Sequence, residues 1–343
     1  MEKIRGLLKA LTEIIAPSGN EASSHKEVIR LCDGYYDEAY TDKAGNLVIV
    51  KKSNIENAPK IMLDAHLDEI GFVVSEILDG GFLRVSRVGG INTRILPSSE
   101  VIICGKERIK GIFSSIPPHL ARMKKDKKST PELSDLFIDT GYTRESLEKI
   151  VKIGDRVVNR GDFMELKNNF VTAKSLDNRA SVCALLDMLS YVDKDKLKAD
   201  LYVVLSSSEE TGVMCAKSAV YDIRPDYVIV IDVNFAKASY LDNSCTIKCG
   251  DGPSVDFSGA TDKAFTNKLI ELCMLCKLPC QRIVESGSTG TNNEKILKSP
   301  HDVPTAVMSI PLKFMHSYSE IVCLDDIRAL SDILLAVAYG GVL

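Results

Sequence analysis

The 343-residue chain has no tryptophan, and aromatic residues make up only 6% of it. No apolar run approaches the roughly 18 residues that a membrane-spanning helix requires. No sign of charge dominates: 43 Lys and Arg stand against 47 Asp and Glu, a net charge of −4. A field attractive to nucleic acid is therefore absent. The N-terminal stretch MEKIRGLLKALTEIIAPSG intersperses charge with apolar residues and lacks both the apolar core and the small-residue cleavage site of a secretory signal. These absences lead to the expectation of a cytoplasmic chain that binds neither membrane nor nucleic acid.

Two hydrolase signatures are also missing. No G-x-S-x-G nucleophile elbow occurs, and Gly287-Ser288-Thr289-Gly290 follows no clear strand pattern. The paired C-x2-C spacing of a structural zinc site is absent. Ten cysteines are present, and the closest sets are Cys273, Cys276 and Cys280, and Cys245 and Cys249. Cys273 and Cys276 lie in the helical pattern KLIELCMLCKLPC, where cysteine acts as a small buried hydrophobe. A cytosol would keep them reduced. Packing is thus the preferred reading over a zinc on Cys273, Cys276 and Cys280.

The apolar fraction of 45% belongs to an ordinary globular protein, and the length suits two domains. Ile4, Leu7, Leu8, Leu11 and Ile14 predict a helix to about residue 15, ended by Pro17-Ser18-Gly19. Residues 46–52 and 60–67 read as strands, the second almost continuously apolar, as a buried strand should be. From about Gly71 to Leu166, short Val-, Ile- and Phe-rich runs alternate with glycine, which predicts antiparallel strands and turns. The basic stretch HLARMKKDKKSTPEL inside it reads as a solvated loop. After residue 170, helices over 178–192 and 325–338 alternate with strands in LYVVLSSSEE, DYVIVIDVN and AVMSIPL. This pattern predicts an α/β sandwich with a largely parallel sheet, interrupted by an all-β insertion. The discontinuous parent domain then covers residues 1–68 and 166–343, and the insertion covers 69–165.

Five polar islands follow apolar strand-like runs: His66-Leu67-Asp68, Asp177-Asn178-Arg179, Glu209-Glu210, Asp232 and His316. Each has a bland reading. His66 suits a hydrogen-bonded core histidine, and Asp177 a helix N-cap. Glu209-Glu210 suits the first turn of a helix, where the macrodipole favours acids. Asp232 suits a turn and His316 a loop. Their common position is what overturns these readings, because ligands in open α/β sheets bind beyond the carboxyl ends of strands. Imidazole mixed with carboxylate is also the ligand chemistry of zinc and its neighbours. Together the islands predict a two-metal hydrolytic centre. His25, His119 and His301 have no such setting.

At these residues the chain resembles the TET aminopeptidases, a family of glutamyl aminopeptidase-like co-catalytic metallopeptidases that is also catalogued with CelM-like endoglucanases. The resemblance runs through LTEIIAPSGNE, AHLDEIGFVV, RVGGINTRILP, GIFSSIPPHL, KSLDNRASVCALL, SSSEETGVMCAKSA and IPLKFMHSYSEIV. It implies an α/β/α sandwich metallopeptidase domain of the phosphorylase/hydrolase-like kind, with a small inserted β-barrel that serves dimerisation and covers the site. It implies one divalent ion on His66, Asp177 and Asp232, and a second on Asp177, Glu210 and His316, with Asp177 bridging. Zinc or cobalt is the expected metal, with manganese a further candidate. Glu209 is implied as general base and Asp68 as the partner that orients His66. Short peptides are the implied substrate, and a tetrahedral dodecamer built from dimers is the implied assembly. One turn departs from the family's Gly-Thr-Asp-Ala: here it reads Gly290-Thr291-Asn292-Asn293, so a carboxylate expected near the substrate is missing.

Two other functions compete. A glucanase needs two carboxylates free of metal; Glu209 and Asp68 would be the candidates, but the two histidines and the absence of tryptophan speak against it. A homologue that assembles yet cleaves weakly is the other reading, prompted by the Asn292-Asn293 turn.

Overall fold

The computed structural model describes residues 1–115, 130–238 and 246–343. The basic stretch after Ile116, with His119, and Cys245 lie outside the described residues. Eleven described strands form one large sheet. Its main path runs Glu38–Thr41, Leu47–Lys51, Asp200–Ser206, Lys60–His66, Tyr227–Phe235, Thr305–Lys313, Glu320–Cys323, Phe170–Ala173 and Met164–Glu165. The four central strands, Asp200–Ser206, Lys60–His66, Tyr227–Phe235 and Thr305–Lys313, are mutually parallel. Their sequences are apolar almost end to end because helices cover both faces.

Alternation along the strands sends neighbours to opposite sides. Ile61, Leu63 and Ala65 join a core under the helices Glu2–Glu13, Leu176–Leu189, Lys263–Cys276 and Leu324–Ala338. Met62, Val228, Val230 and Val307 join a second core under Ala216–Ile223 and Ile296. The same alternation places Asp64 and His66 on the face of Met62, and Asp232 and Asn234 on the face of Val230. The helix predicted over 178–192 spans Leu176–Leu189, and every residue of it is buried, because the sheet lies on one side and the helices Glu2–Glu13 and Leu324–Ala338 lie on the other. A helix enclosed in this way carries no polar face.

The all-β segment forms a closed barrel in which Gly71–Ile77, Phe82–Val88, Ile138–Asp139, Arg108–Phe113, Glu100–Cys104 and Arg156–Asn159 follow one another around the wall. It has its own core, with Phe72 and Phe113 meeting edge to face at 5.0 Å between ring centres. Closure removes the unpaired edges that an open sheet of this length would expose. At Gly71 a Cβ would lie 2.5 Å from the Val157 carbonyl oxygen, so only glycine permits that wall contact. Met164–Glu165, expected within the insertion, pairs with Phe170–Ala173 and extends the large sheet instead.

Candidate functional site

The carboxyl ends of the central strands converge on one point. Lys60–His66 ends in His66, and Tyr227–Phe235 carries Asp232 near its end. Asp177 stands one residue into Leu176–Leu189, with non-helical φ/ψ, and the Asp177–Asn178 peptide bond is cis. The N-cap is Ser175 rather than Asp177, and it makes no side-chain cap hydrogen bond. The N-cap reading of Asp177 therefore falls, and its carboxylate is left for the cluster. Glu209 and Glu210 occupy a turn after Asp200–Ser206, and the next helix begins only at Ala216. The helix-start reading of this pair falls as well. His316 follows Thr305–Lys313 in a turn, at φ 61°.

Two triads result. His66 Nε2 lies 3.0 Å from Asp177 Oδ1 and 3.7 Å from Asp232 Oδ1. His316 Nε2 lies 3.4 Å from Asp177 Oδ2 and 3.4 Å from Glu210 Oε2. Within each triad, one donor atom per residue lies within 4.8 Å of the others. Asp177 belongs to both triads and presents a different oxygen to each histidine. Among the described residues, no such group of metal-competent side chains includes the cysteines; Cys273 is buried, whereas Cys276 faces solvent. His25 and His301 stand apart from the cluster: His25 Nδ1 meets Thr41 Oγ1 at 2.8 Å, and His301 Nε2 meets the Pro225 carbonyl at 2.9 Å.

The electrostatics follow from packing so many acids together. Burial pushes Glu209 up to about 8, with the charges of Glu210 and Asp177 adding to the effect against that of His66. Burial also raises Glu210 and, further, Asp232. Burial works against protonation of the histidines, yet the carboxylates around them prevail. His66 is raised by Asp177 and Asp68, and His316 reaches about 11 beside Asp177 and Glu210. Asp177 falls below the usual carboxylate range: burial opposes this, but hydrogen bonds from His316 and His66 outweigh it. Two imidazoles and three carboxylates match the donor set of a paired divalent site, so the residues fit the ions that the resemblance implies.

Neighbouring groups fix the cluster. Asp68, fully buried, accepts from Ser18 Oγ at 2.6 Å and from the backbone N–H groups of Glu209 and Glu210 at 3.0 and 3.1 Å. Its carboxylate is 3.5 Å from His66 Nδ1, whose closer partner at 3.1 Å is the backbone carbonyl of Asp68. Asp68 thus holds the two glutamates firmly and the ring more loosely. Its replacement by Asn would turn an amide donor toward backbone donors. Asp68→Asn is expected to weaken metal binding or turnover by about 10–100-fold, the usual cost of losing a carboxylate behind a ligand histidine. Metal titration of the folded variant checks this, and wild-type affinity and rate together would remove Asp68 from the machinery.

Sequence reasoning missed Glu320. It is buried, and its two oxygens accept the backbone N–H of Asp177 at 3.0 Å and of His316 at 2.7 Å. One side chain therefore positions a residue of each triad; its only sequence signal is its place four residues after His316. Also missed was Glu69, bound by Lys174 Nζ at 2.5 Å and Ser175 Oγ at 2.6 Å. This buried pair ties the loop after His66 to the segment leading into Asp177. Gly90 completes the fit: a Cβ there would meet His316 Nδ1 at 2.6 Å.

The triads open into a cleft of about 780 Å³, walled by Glu209, Met214, Asn234, Phe235, Glu285 and Thr291 among others. The Asn292 turn does not behave as the sequence suggests. Asn292 and Asn293 are buried, and neither lines the cleft. Asn292 Nδ2 donates to Asp64 Oδ2 and to Ser206 Oγ, both at 2.8 Å. Burial lifts Asp64 to about 6 against the hydrogen bonds from Ser206 and Asn292. A second carboxylate at position 292 would face Asp64 at that distance and repel it. The amide is thus the complement of Asp64, and the departure from the family's turn concerns the floor beneath the loop.

The chain matches the M42 glutamyl aminopeptidase family over residues 45–333. It is 29% identical to a lysyl aminopeptidase of Pyrococcus furiosus over 327 residues, covering 94% of this chain and 92% of the relative. In structure it resembles an aminopeptidase of the archaeon Desulfurococcus kamchatkensis at 31% identity and a TM-score of 0.91, covering 99% of this chain and 95% of the other. It also resembles the TET1 peptidase of Pyrococcus horikoshii, which can assemble into a tetrahedron or a large octahedral shell, at 29% identity, a TM-score of 0.85 and 99% coverage of both chains.

Proposed function

Because the chain belongs to the M42 glutamyl aminopeptidase family, whose members hydrolyse peptide bonds, we propose that it is a two-metal aminopeptidase that removes N-terminal residues from short peptides in the cytoplasm. The observation that carries this reading is the division of Asp177 between two triads, one oxygen toward each histidine. His66, Asp177 and Asp232 would hold one ion, and Asp177, Glu210 and His316 the other. Two divalent cations there, zinc or cobalt with manganese as a further candidate, would acidify the attacking water and polarise the scissile carbonyl.

Glu209 is the general base. Among the described residues its carboxylate has no hydrogen-bond partner, and it lines the cleft beside the triads. It is free to take the proton of the attacking water and to deliver it to the leaving amine. Its raised pKa suits both halves of that transfer once positive charge stands nearby. Asp68 and Glu320 hold the backbone of the acids and of His316, so the constellation is rigid before substrate arrives. The free α-amine of the peptide would bind inside the site, which would confine cleavage to chain ends.

A glucanase reading finds less support, because Asp68 is fully buried and already accepts three hydrogen bonds. The loaded protein should turn over amino-acid anilides and short free peptides, but not N-acetylated ones or β-glucan. Turnover of acetylated peptides, or of glucan alone, would refute the aminopeptidase assignment. No described helix is long and apolar enough to cross a membrane. Homo-oligomeric assembly through dimers to a tetrahedral particle is part of the proposal, supported by the likeness to the TET1 peptidase. Sedimentation of the active preparation reads it, and a fully active monomer would remove that part.

A further inference from the structure

The cleft holds one carboxylate that the hydrolytic reaction does not use. Glu285 directly follows the short strand Gln281–Val284, and its N–H donates to the Phe257 carbonyl at 2.9 Å. Its side chain lines the cleft together with Glu209, Asp232 and His316. Glu285 Oε1 accepts from Asn234 Nδ2 at 2.6 Å. Asn234 lies two residues beyond Asp232 on one strand, so the two project from the same face, about 7 Å apart along it. Asn234 thereby holds Glu285 in the same cleft as the triads, into which the side chain of the cleaved residue would extend.

The second oxygen, Oε2, is shielded from solvent and has no hydrogen-bond partner among the described residues. Burial raises the carboxyl, Asn234 opposes this, and the charge of Glu294 raises it further. A shielded carboxylate oxygen without a partner is costly and calls for a donor. The wall of the same cleft also includes Met214, Phe235, Val284 and Met315. Such a wall suits a methylene stem that ends in a cation.

Resting on the aminopeptidase reading of the same cleft, we infer that Glu285 selects N-terminal residues with cationic side chains, lysine and arginine, and rejects acidic ones. Turned toward the cleft, the carboxylate would gain from the ammonium or guanidinium the donor that Oε2 lacks, while a glutamate side chain would set like charge against Glu285 and Glu294.

The test is a panel of Lys-, Arg-, Leu- and Glu-anilides with the metal-loaded protein, its Glu285→Gln variant and its Glu285→Lys variant. Gln keeps an oxygen for Asn234 and removes only the charge. Lys and Arg should lead the wild-type panel by kcat/KM, with Glu last by at least about 100-fold. Glu285→Gln should shrink the Lys-to-Leu ratio by about 10–100-fold, as expected when a hydrogen bond to a charged group is lost. Glu285→Lys should gain activity on the Glu-anilide, a change that misfolding cannot produce. Leu or Glu leading the wild-type panel, or a ratio indifferent to both substitutions, would overturn the assignment and leave the aminopeptidase reading standing. Failure of every anilide with the loaded wild type would instead bring down that reading, and this inference with it.

Discussion

Exhaustive chelation should reduce peptidase activity to background, and added zinc or cobalt should restore it. The expectation rests on the inventory of the cluster. Asp177, Asp232, Glu209 and Glu210 share one small buried space with only two imidazoles. Without cations, the site relieves its repulsion by taking up protons, as the raised positions of Glu209, Glu210 and Asp232 indicate. Without the ions, no group of the cluster supplies the acidified water and the polarised carbonyl that the proposed reaction needs. Among the described residues, Cys215 has a thiol raised by burial rather than activated. Metal bound only by the folded chain also stabilises it by mass action, so the melting temperature should rise with added metal as activity returns. Full turnover in a preparation shown metal-free by elemental analysis would end the two-metal account.

Replacing Glu209 by Gln should lower kcat by about 10²–10⁴-fold, the usual range for a lost proton-transfer group, while metal content stays near that of the unaltered protein. The separation from its neighbour is geometric. Glu210 lies 3.4 Å from His316 Nε2 within a triad, whereas Glu209 belongs to neither triad and lines the cleft with a carboxylate that has no hydrogen-bond partner among the described residues. Glu210→Gln should therefore do the reverse, costing bound metal first and rate as a consequence. Elemental analysis beside single-turnover rates distinguishes the two variants. If Glu209→Gln lost metal and kept its rate per bound ion, the roles of the adjacent glutamates would have to be exchanged.

Much of the site was legible because its residues break strong local patterns. His66 and Asp232 interrupt apolar runs that specify buried strands, and Glu209-Glu210 closes another. Their placement at strand ends was enough to bring them to one edge of the sheet. What stayed hidden were the residues that brace the cluster. Glu320 looks like an ordinary acid in a loop, and only folding points its two oxygens at the N–H groups of residues 177 and 316. The Asn292 turn is the reverse case. Read alone, it suggested a substrate loop short of a carboxylate; in the fold it is a buried amide matched to Asp64, 228 positions away.

By itself, then, the sequence determined the architecture and the types of side chain that cluster at the strand ends. Period-2 and helical patterns, the glycine-punctuated insertion and the polar strand ends are local signals, and each survives in the part of the chain that carries it. Tertiary structure alone decided which carboxylate faces which histidine, that Asp177 serves two triads, that Leu176–Leu189 is enclosed on every side, and that Glu285 reaches the cleft. Those outcomes depend on contacts between segments far apart in the chain, whose distances are set by sheet register and helix packing rather than by the residues beside them.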